Sequence, residues 1–281
     1  MKIKKGWYAL FTAPLMIVFM IVVVIPFIIG IGYSFFSWDG LLKHKAEFIG
    51  LKNYIDVFQD TRFLESTVRT TIFTIIAVVT VNVIGVIFAL VVTTGLRFRN
   101  VARTLLFMPY LIGGLILGYI WKAVFQEYFL SIDWGNWTSD PTKGIIAMII
   151  VTTWQLAGYV MIVYITGIMA IPNDVMEAAM VDGANYFQTL FRVKFPLLMP
   201  SFTICLFLTL SNCFKIYDVN ISLTGAGPGN KLEMFSLNIY NEIFSLSNFG
   251  YGQAKAIIFF FIIALITLAQ VTITKKREVS M

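Results

Sequence analysis

The chain has 281 residues, 58% of them hydrophobic and 13% charged, and a mean hydropathy of +0.82. A soluble domain carries roughly 25% charged residues, so this composition excludes a soluble fold and describes a polytopic, all-α membrane protein. The formal net charge of +6 comes from short basic clusters beside apolar runs, the membrane pattern and not the nucleic-acid one.

Side-chain chemistry narrows the class further. His44 is the single histidine, which leaves nothing for a His-based metal centre or triad. Cys205 and Cys213 fall in one apolar run, about 12 Å apart along a helix axis, too far for a disulfide.

In chain order, Lys2, Lys4 and Lys5 precede an apolar run from about Trp7 to Phe36. No small-residue cleavage site follows, so the run reads as an uncleaved first span containing Pro14 and Pro26. The polar stretch from Ser37 to about Thr67 carries SWDG and FIGLKNYIDVF, with a short interfacial helix expected near Asn53–Gln59. A second span is placed near Val68–Thr94, with Asn82 as inter-helix glue, and Arg97, Arg99 and Arg103 mark the loop after it. The third span runs near Leu105–Phe125; its Gly114 and Gly118 stand in a GxxxG relation that fits either close helix approach or chance. A polar loop with Trp134 and Trp137, suited to the membrane interface, leads to a fourth span near Gly144–Ala170. The fifth starts at about Phe202, a polar loop covers about Asn220–Gly252, and the sixth lies near Gln253–Thr274 before Lys275, Lys276 and Arg277.

Between spans four and five lies a polar, jointed segment, IPNDVMEAAMVDGANYFQTLFRVKFPLLMPS, residues 171–201. Asp174 and Glu177 sit in the first turns of a helix, where the dipole favours acids. Met176, Ala179 and Met180 form an apolar stripe, and Gly183 turns the chain out of the helix. Asn185 and Gln188 have capping-box spacing for a second helix, Tyr186 to Lys194, which Pro196 and Pro200 end. The expected object is a helix–bend–helix elbow that docks on another protein.

Six spans place both termini on one side. The termini, the Arg97 loop and the elbow hold 11 Lys/Arg against 4 Asp/Glu; the other side holds 10 against 11. Because the first set of segments is much shorter, its basic density is higher, and termini and elbow are expected to be cytoplasmic.

Two polar clusters within the spans are candidates for a sugar-type site, which combines aromatic faces with hydrogen-bonding groups. One is Thr153, Trp154, Gln155 and Tyr159 in the fourth span; the other is Asn212, Lys215, Tyr217 and Asp218 in the fifth. Lys215 and Asp218, at helical i, i+3 spacing, are also positioned to neutralise each other. An aromatic belt with inter-helix hydrogen bonds is the rival reading of the same residues. No G-x-x-x-x-G-K-[ST] phosphate loop is present. GAGPGNK, from Gly225 to Lys231, lacks the hydroxyl and is explained by a tight turn.

The elbow also carries a resemblance. Glu177-Ala178-Ala179, then Asp182-Gly183-Ala184, then Val193-Lys194-Phe195-Pro196 resembles the EAA loop of permease subunits in binding-protein-dependent ABC importers, with Val193 and Phe195 in the places of Ile and Leu. YSFFSWDG, FIGLKNY, FKIYD, LTGAGPGN, SLNIYNEIF and FGYGQAKA are similar to the carbohydrate branch, including the larger maltose-transporter and glycerol-phosphate-transporter permeases. The resemblance implies one permease domain over residues 1–281 with a cytoplasmic coupling loop at 171–200. It implies no catalytic residue and no metal in this chain, ATP and Mg on two separate ATPase subunits, a second homologous permease, an extracytoplasmic sugar-binding protein, and a prokaryotic cytoplasmic membrane. Coupling to the ATPase would fall to Met176, Glu177, Ala178, Ala179, Met180, Asp182, Gly183, Phe187, Leu190 and Phe191, and the two polar clusters would flank the substrate cavity. An ion-coupled secondary transporter is the competing class. It would need interior ionisable residues, and apart from Lys215 and Asp218 the spans are read as lacking them. A polyol phosphate is the alternative cargo.

Overall fold

The computed structural model describes residues 5–41, 43–95, 97–132 and 135–278. Lys2, Lys4 and Trp134 lie outside them. Among the described residues, four unbroken helices are long and apolar enough to cross a bilayer: α1 (Leu10–Tyr33), α3 (Thr61–Thr93), α6 (Pro141–Met169) and α11 (Phe249–Lys275). Two bent pairs bring the number of candidate spans to six: α4 (Arg99–Leu111) with α5 (Gly114–Ser131), bent by 98°, and α8 (Tyr186–Leu197) with α9 (Met199–Phe214), bent by 67°. Short helices α2 (Lys52–Gln59), α7 (Asn173–Val181) and α10 (Phe235–Tyr240) complete the chain. A two-residue hairpin pairs β1 (Phe36–Ser37) with β2 (Glu47–Phe48). The architecture is all-α.

Two prolines expected to disturb helices do so by one device. Ahead of Pro26 the backbone makes a π turn at Met20–Val24, and ahead of Pro196 another at Thr189–Lys194. A proline ring clashes with the carbonyl four residues back and brings no N–H, so the preceding turn widens and the next N–H reaches five residues back, as Phe195 does to Leu190. Pro196 therefore does not end the second elbow helix, which runs on to Leu197. The break comes one residue later, and Pro200 sits in the first turn of α9, where no donor is needed.

The chain clusters into two compact units, Met1–Leu64 with Asn238–Phe260, and Glu65–Leu237 with Phe261–Met281. The second holds the larger core, centred on α6, whose most apolar stretch is 56% buried. Asn82 of α3 ties three helices there: its Nδ2 donates to Thr209 Oγ1 (3.0 Å), and its Oδ1 accepts from the Tyr164 hydroxyl (2.8 Å). Trp137 is buried against Phe125 and Phe129, inside the core. The GxxxG face is a true contact: a Cβ on Gly114 would meet that of Asp218, and one on Gly118 would meet Ser222.

The segment read as a polar loop, about 220–252, is core over much of its first half, up to Asn238. Leu223, Leu232, Met234 and Phe235 are fully buried. Asn220 organises it, donating to the Leu232 carbonyl (2.8 Å) and accepting from the Met234 N–H (3.0 Å). The glycines of GAGPGNK sit at positive φ, the conformation that the turn requires. Gly158 makes the tightest approach to another segment's backbone, because a Cβ there would strike the Leu106 carbonyl. Gly158→Ala is expected to lose about 1–3 kcal/mol by overpacking, read as a lower midpoint in thermal denaturation of the detergent-solubilised protein.

The first unit contains a group that the sequence reading passed over. Lys255, on the first two turns of α11, is fully buried. Its ammonium bonds Glu242 Oε2 at 2.7 Å, Asp60 Oδ2 at 2.8 Å and Asn238 Oδ1 at 3.2 Å, and lies 4.6 Å from the Tyr251 ring centre. The spans therefore do contain an interior ionisable residue besides Lys215 and Asp218. Its partners are carboxylates from the turn before α3 and from the π turn after α10, so it fastens three segments. Trp38 of the same unit is held between Tyr33, stacked at 4.7 Å, and Phe249 at 5.3 Å.

Candidate substrate cavity and coupling elbow

Two interruptions of membrane helices meet in the larger unit. Between α4 and α5 the backbone is extended at Ile112 and Gly113. After α9 the helix stops at Phe214, and Ile216 and Tyr217 are not helical. Non-helical backbone at membrane depth survives only where it is buried in protein or lines a polar cavity. Here a cavity of about 280 Å³ lies between the two breaks, lined by Tyr110, Gly114, Thr152, Gln155, Asn212, Lys215, Tyr217 and Asp218, with Leu156, Ile216 and Val219.

Helix geometry sorts the fourth-span cluster. Gln155 faces the cavity, and its Nε2 donates to the Ile112 carbonyl (3.0 Å), which the helix break leaves without a backbone donor. Tyr159, one turn on, stacks on Tyr110 at 4.5 Å with 15° between the rings. Thr153 and Trp154 turn away. Thr153 shares a hydrogen bond with Thr80 (2.8 Å), and Trp154 meets Trp121 edge-on (5.4 Å); both line a separate apolar cavity of about 380 Å³. Thr152 takes their place. It is 4% exposed and its hydroxyl has no hydrogen-bond partner among the described residues.

In the second cluster Asn212, Lys215, Tyr217 and Asp218 all line the cavity. Because the helix ends at Phe214, Lys215 and Asp218 do not share a helix face, and no ion pair joins them. Both side chains are exposed to the cavity. Tyr110, Thr152 and Gly114 were absent from the sequence candidates. The i, i+3 relation of Thr152 to Gln155 was the signal that would have found Thr152.

At the elbow, α7 ends in a Schellman motif: the Ala184 N–H bonds the Ala179 carbonyl (3.0 Å) and the Gly183 N–H bonds that of Met180 (3.1 Å). Gly183 has φ +75°. The capping box forms, with Asn185 Oδ1 accepting from the Gln188 N–H and Gln188 Oε1 from the Asn185 N–H. The apolar stripe divides: Ala179 is buried, Met176 half-buried, and Met180 faces out with Glu177, Ala178, Asp182 and Phe187. Leu190 and Phe191 line an apolar groove of about 440 Å³ against Val83, Val86 and Leu90 of α3.

Residues 81–279 match the family model for the inner membrane component of binding-protein-dependent transport systems. A probable starch degradation products transport system permease protein of Thermoanaerobacterium thermosulfurigenes is 47% identical over 286 residues, covering 99% of this chain and 97% of that one. A multiple sugar-binding transport system permease protein of Streptococcus mutans is 29% identical, over 99% and 98% of the two chains. Among solved structures, a bacterial ABC transporter involved in import of the acidic polysaccharide alginate has the same fold, with TM-score 0.81 at 20% identity over 97% and 96% of the chains. The same transporter type, in complex with an alginate pentasaccharide-bound periplasmic protein, matches with TM-score 0.79 over 96% and 94%. This chain is a member of the family of inner membrane components of binding-protein-dependent transport systems.

Proposed function

We propose that this chain is one of two membrane-spanning subunits of an ATP-driven importer that passes an oligosaccharide through the cavity between the two helix breaks. The observation that carries the reading is the placing of two breaks, the Tyr110 ring backed by Tyr159, and several polar side chains, the unpaired Thr152 hydroxyl among them, around one cavity in a member of this transport family. The names of the two curated relatives, starch degradation products and multiple sugars, support carbohydrate as the cargo. A sugar hydroxyl both donates and accepts, which suits Thr152, Asn212 and the two charged groups together.

The chain has no phosphate loop, so its work must come from ATPase subunits that hold ATP and Mg. The outward residues Glu177, Ala178, Met180, Asp182 and Phe187 suit a groove on such a subunit, in the helix-in-groove mode. The reading places both termini and the elbow in the cytoplasm of a prokaryote, with a second permease beside this chain and a sugar-binding protein outside. The exposure of α1, only 6% buried, leaves a long apolar helix for lipid or for that second permease.

The test is transport by the assembled complex. Asn212→Ala and Thr152→Val are each expected to raise the uptake KM for labelled malto-oligosaccharide about tenfold, the value of one lost hydrogen bond of about 1.4 kcal/mol, with maximal ATP hydrolysis kept. Unchanged uptake in both would remove this cavity from the pathway.

A further inference from the structure

We infer that Asp218 makes the cavity select uncharged sugars, by occupying the position where an anionic group would otherwise bind. The inference rests on the reading of the cavity as a carbohydrate site and goes beyond it by naming the charge class of the sugar and the residue that sets it.

Three features converge on one wall. The 18-residue helix α5 begins at Gly114, with Gly113 as N-cap and no side chain capping its free N–H groups. Its first turn contains no acid. A helix start of this kind carries about half a positive charge and is a ready site for an anion. Lys215 lines the same cavity with its ammonium unpaired among the described residues, which adds a full positive charge. Thr152, 4% exposed, holds a hydroxyl without a partner at the same cavity, an observation that itself calls for a ligand.

A lysine, a helix start and a free hydroxyl together make an anion site. The carboxylate already there belongs to the protein. Gly114 abuts Asp218 so closely that an added Cβ would lie 2.8 Å from the Asp218 Cβ and 3.4 Å from its Oδ2. Yet Asp218 forms neither an ion pair with Lys215 nor a side-chain hydrogen bond among the described residues, so it is not consumed as structural glue. It offsets the positive wall while leaving its oxygens free to accept from sugar hydroxyls. A sugar carboxylate or phosphate entering the cavity would meet this charge at short range. At direct contact that repulsion reaches the tenfold scale in affinity even at the dielectric of a partly solvated site.

The experiment measures binding to the purified membrane complex in the absence of the external binding protein, whose own selectivity would mask the effect. Equilibrium dialysis would compare maltotriose with maltotrionate, the same trisaccharide bearing a carboxylate at its oxidised end. The native complex is expected to prefer maltotriose by at least about tenfold. Asp218→Asn, nearly isosteric, should cut that preference to about one or invert it, and the gain in maltotrionate binding should fade at high salt. Asp218→Asn combined with Lys215→Gln should restore the preference for maltotriose, which a merely structural role for Asp218 would not produce. A preference that stays within twofold of native in Asp218→Asn, or a native complex that favours maltotrionate, would overturn the inference while leaving carbohydrate binding intact. Binding of neither sugar to any form would overturn both.

Discussion

Lys255→Met is expected to cost about 3–5 kcal/mol of stability, the largest effect of any single change considered. The ammonium is fully buried and bridges Glu242 and Asp60, so its removal leaves two carboxylates facing each other with little water. Methionine fills most of the volume, so the loss reports charge and not a cavity. The readout is the temperature at which the detergent-solubilised protein leaves the monodisperse peak, with Lys255→Met well below native. Adding Asp60→Asn and Glu242→Gln to Lys255→Met should recover most of the difference, because an uncharged cluster has nothing left to compensate. Asp60 also gives the cluster a pH signature. Burial raises its carboxyl pKa, but the hydrogen bond and charge of Lys255, with the Phe63 N–H and the Tyr251 hydroxyl, hold it below the usual 3.8. A depressed folded pKa contributes stability that is fully present above the unfolded value and is lost as pH falls through the folded one. The cluster is therefore expected to loosen only in strong acid, below about pH 4. A native-like transition temperature for Lys255→Met would contradict this account.

Gly183→Val is expected to separate ATP hydrolysis from uptake. The glycine has φ +75° with open space around it, so no neighbour resists a side chain; the resistance lies in the backbone itself. An L-residue in the left-handed region costs roughly 1–2 kcal/mol, enough to unwind the Schellman turn and reorient α7 against α8. The open surroundings make a sharper forecast than size alone: alanine should be nearly as harmful as valine, and asparagine the mildest. The ratio of sugar imported to ATP hydrolysed in proteoliposomes is the measurement. Equal ratios for native, Gly183→Val and Gly183→Asn would mean that the turn does not transmit force.

Much of this architecture was legible from apolar run length alone, because a bilayer demands about 20 apolar residues per span and tolerates few alternatives. The elbow was legible in finer detail. Asn185, Gln188 and Gly183 follow local capping rules that do not depend on tertiary context, and the structure forms both the capping box and the left-handed turn. What stayed hidden depended on packing. Thr152 and Thr153 are one residue apart, and the rotation of α6 puts Thr152 on the face of Gln155 and Thr153 against Thr80. The break after Phe214 carries no proline or glycine, so nothing in the local sequence separates Lys215 from a helix shared with Asp218. Lys255 carries no local signal of its role; its carboxylate partners lie 195 positions earlier and 13 positions earlier in the sequence. Apolar packing around Leu232, Met234 and Phe235 likewise turned an expected polar loop into core, through Asn220, which holds the segment by its side-chain amide.

The bend at Leu198 has a mechanical meaning. Leu198 is buried and joins two arms: α8, 12 residues and about 18 Å long, and α9, 16 residues and about 24 Å long. A rigid crank pivoting there would carry Phe187, proposed above to meet the ATPase, near the end of the shorter arm and Asn212 near the end of the longer one. For rigid arms of these lengths the gearing would be about 4:3, so a stroke of about 3 Å at the elbow would arrive at the cavity as about 4 Å. That is more than the radius of the passage needed by a water molecule, and it would be delivered on the wall that carries Asn212 and leads directly into Lys215.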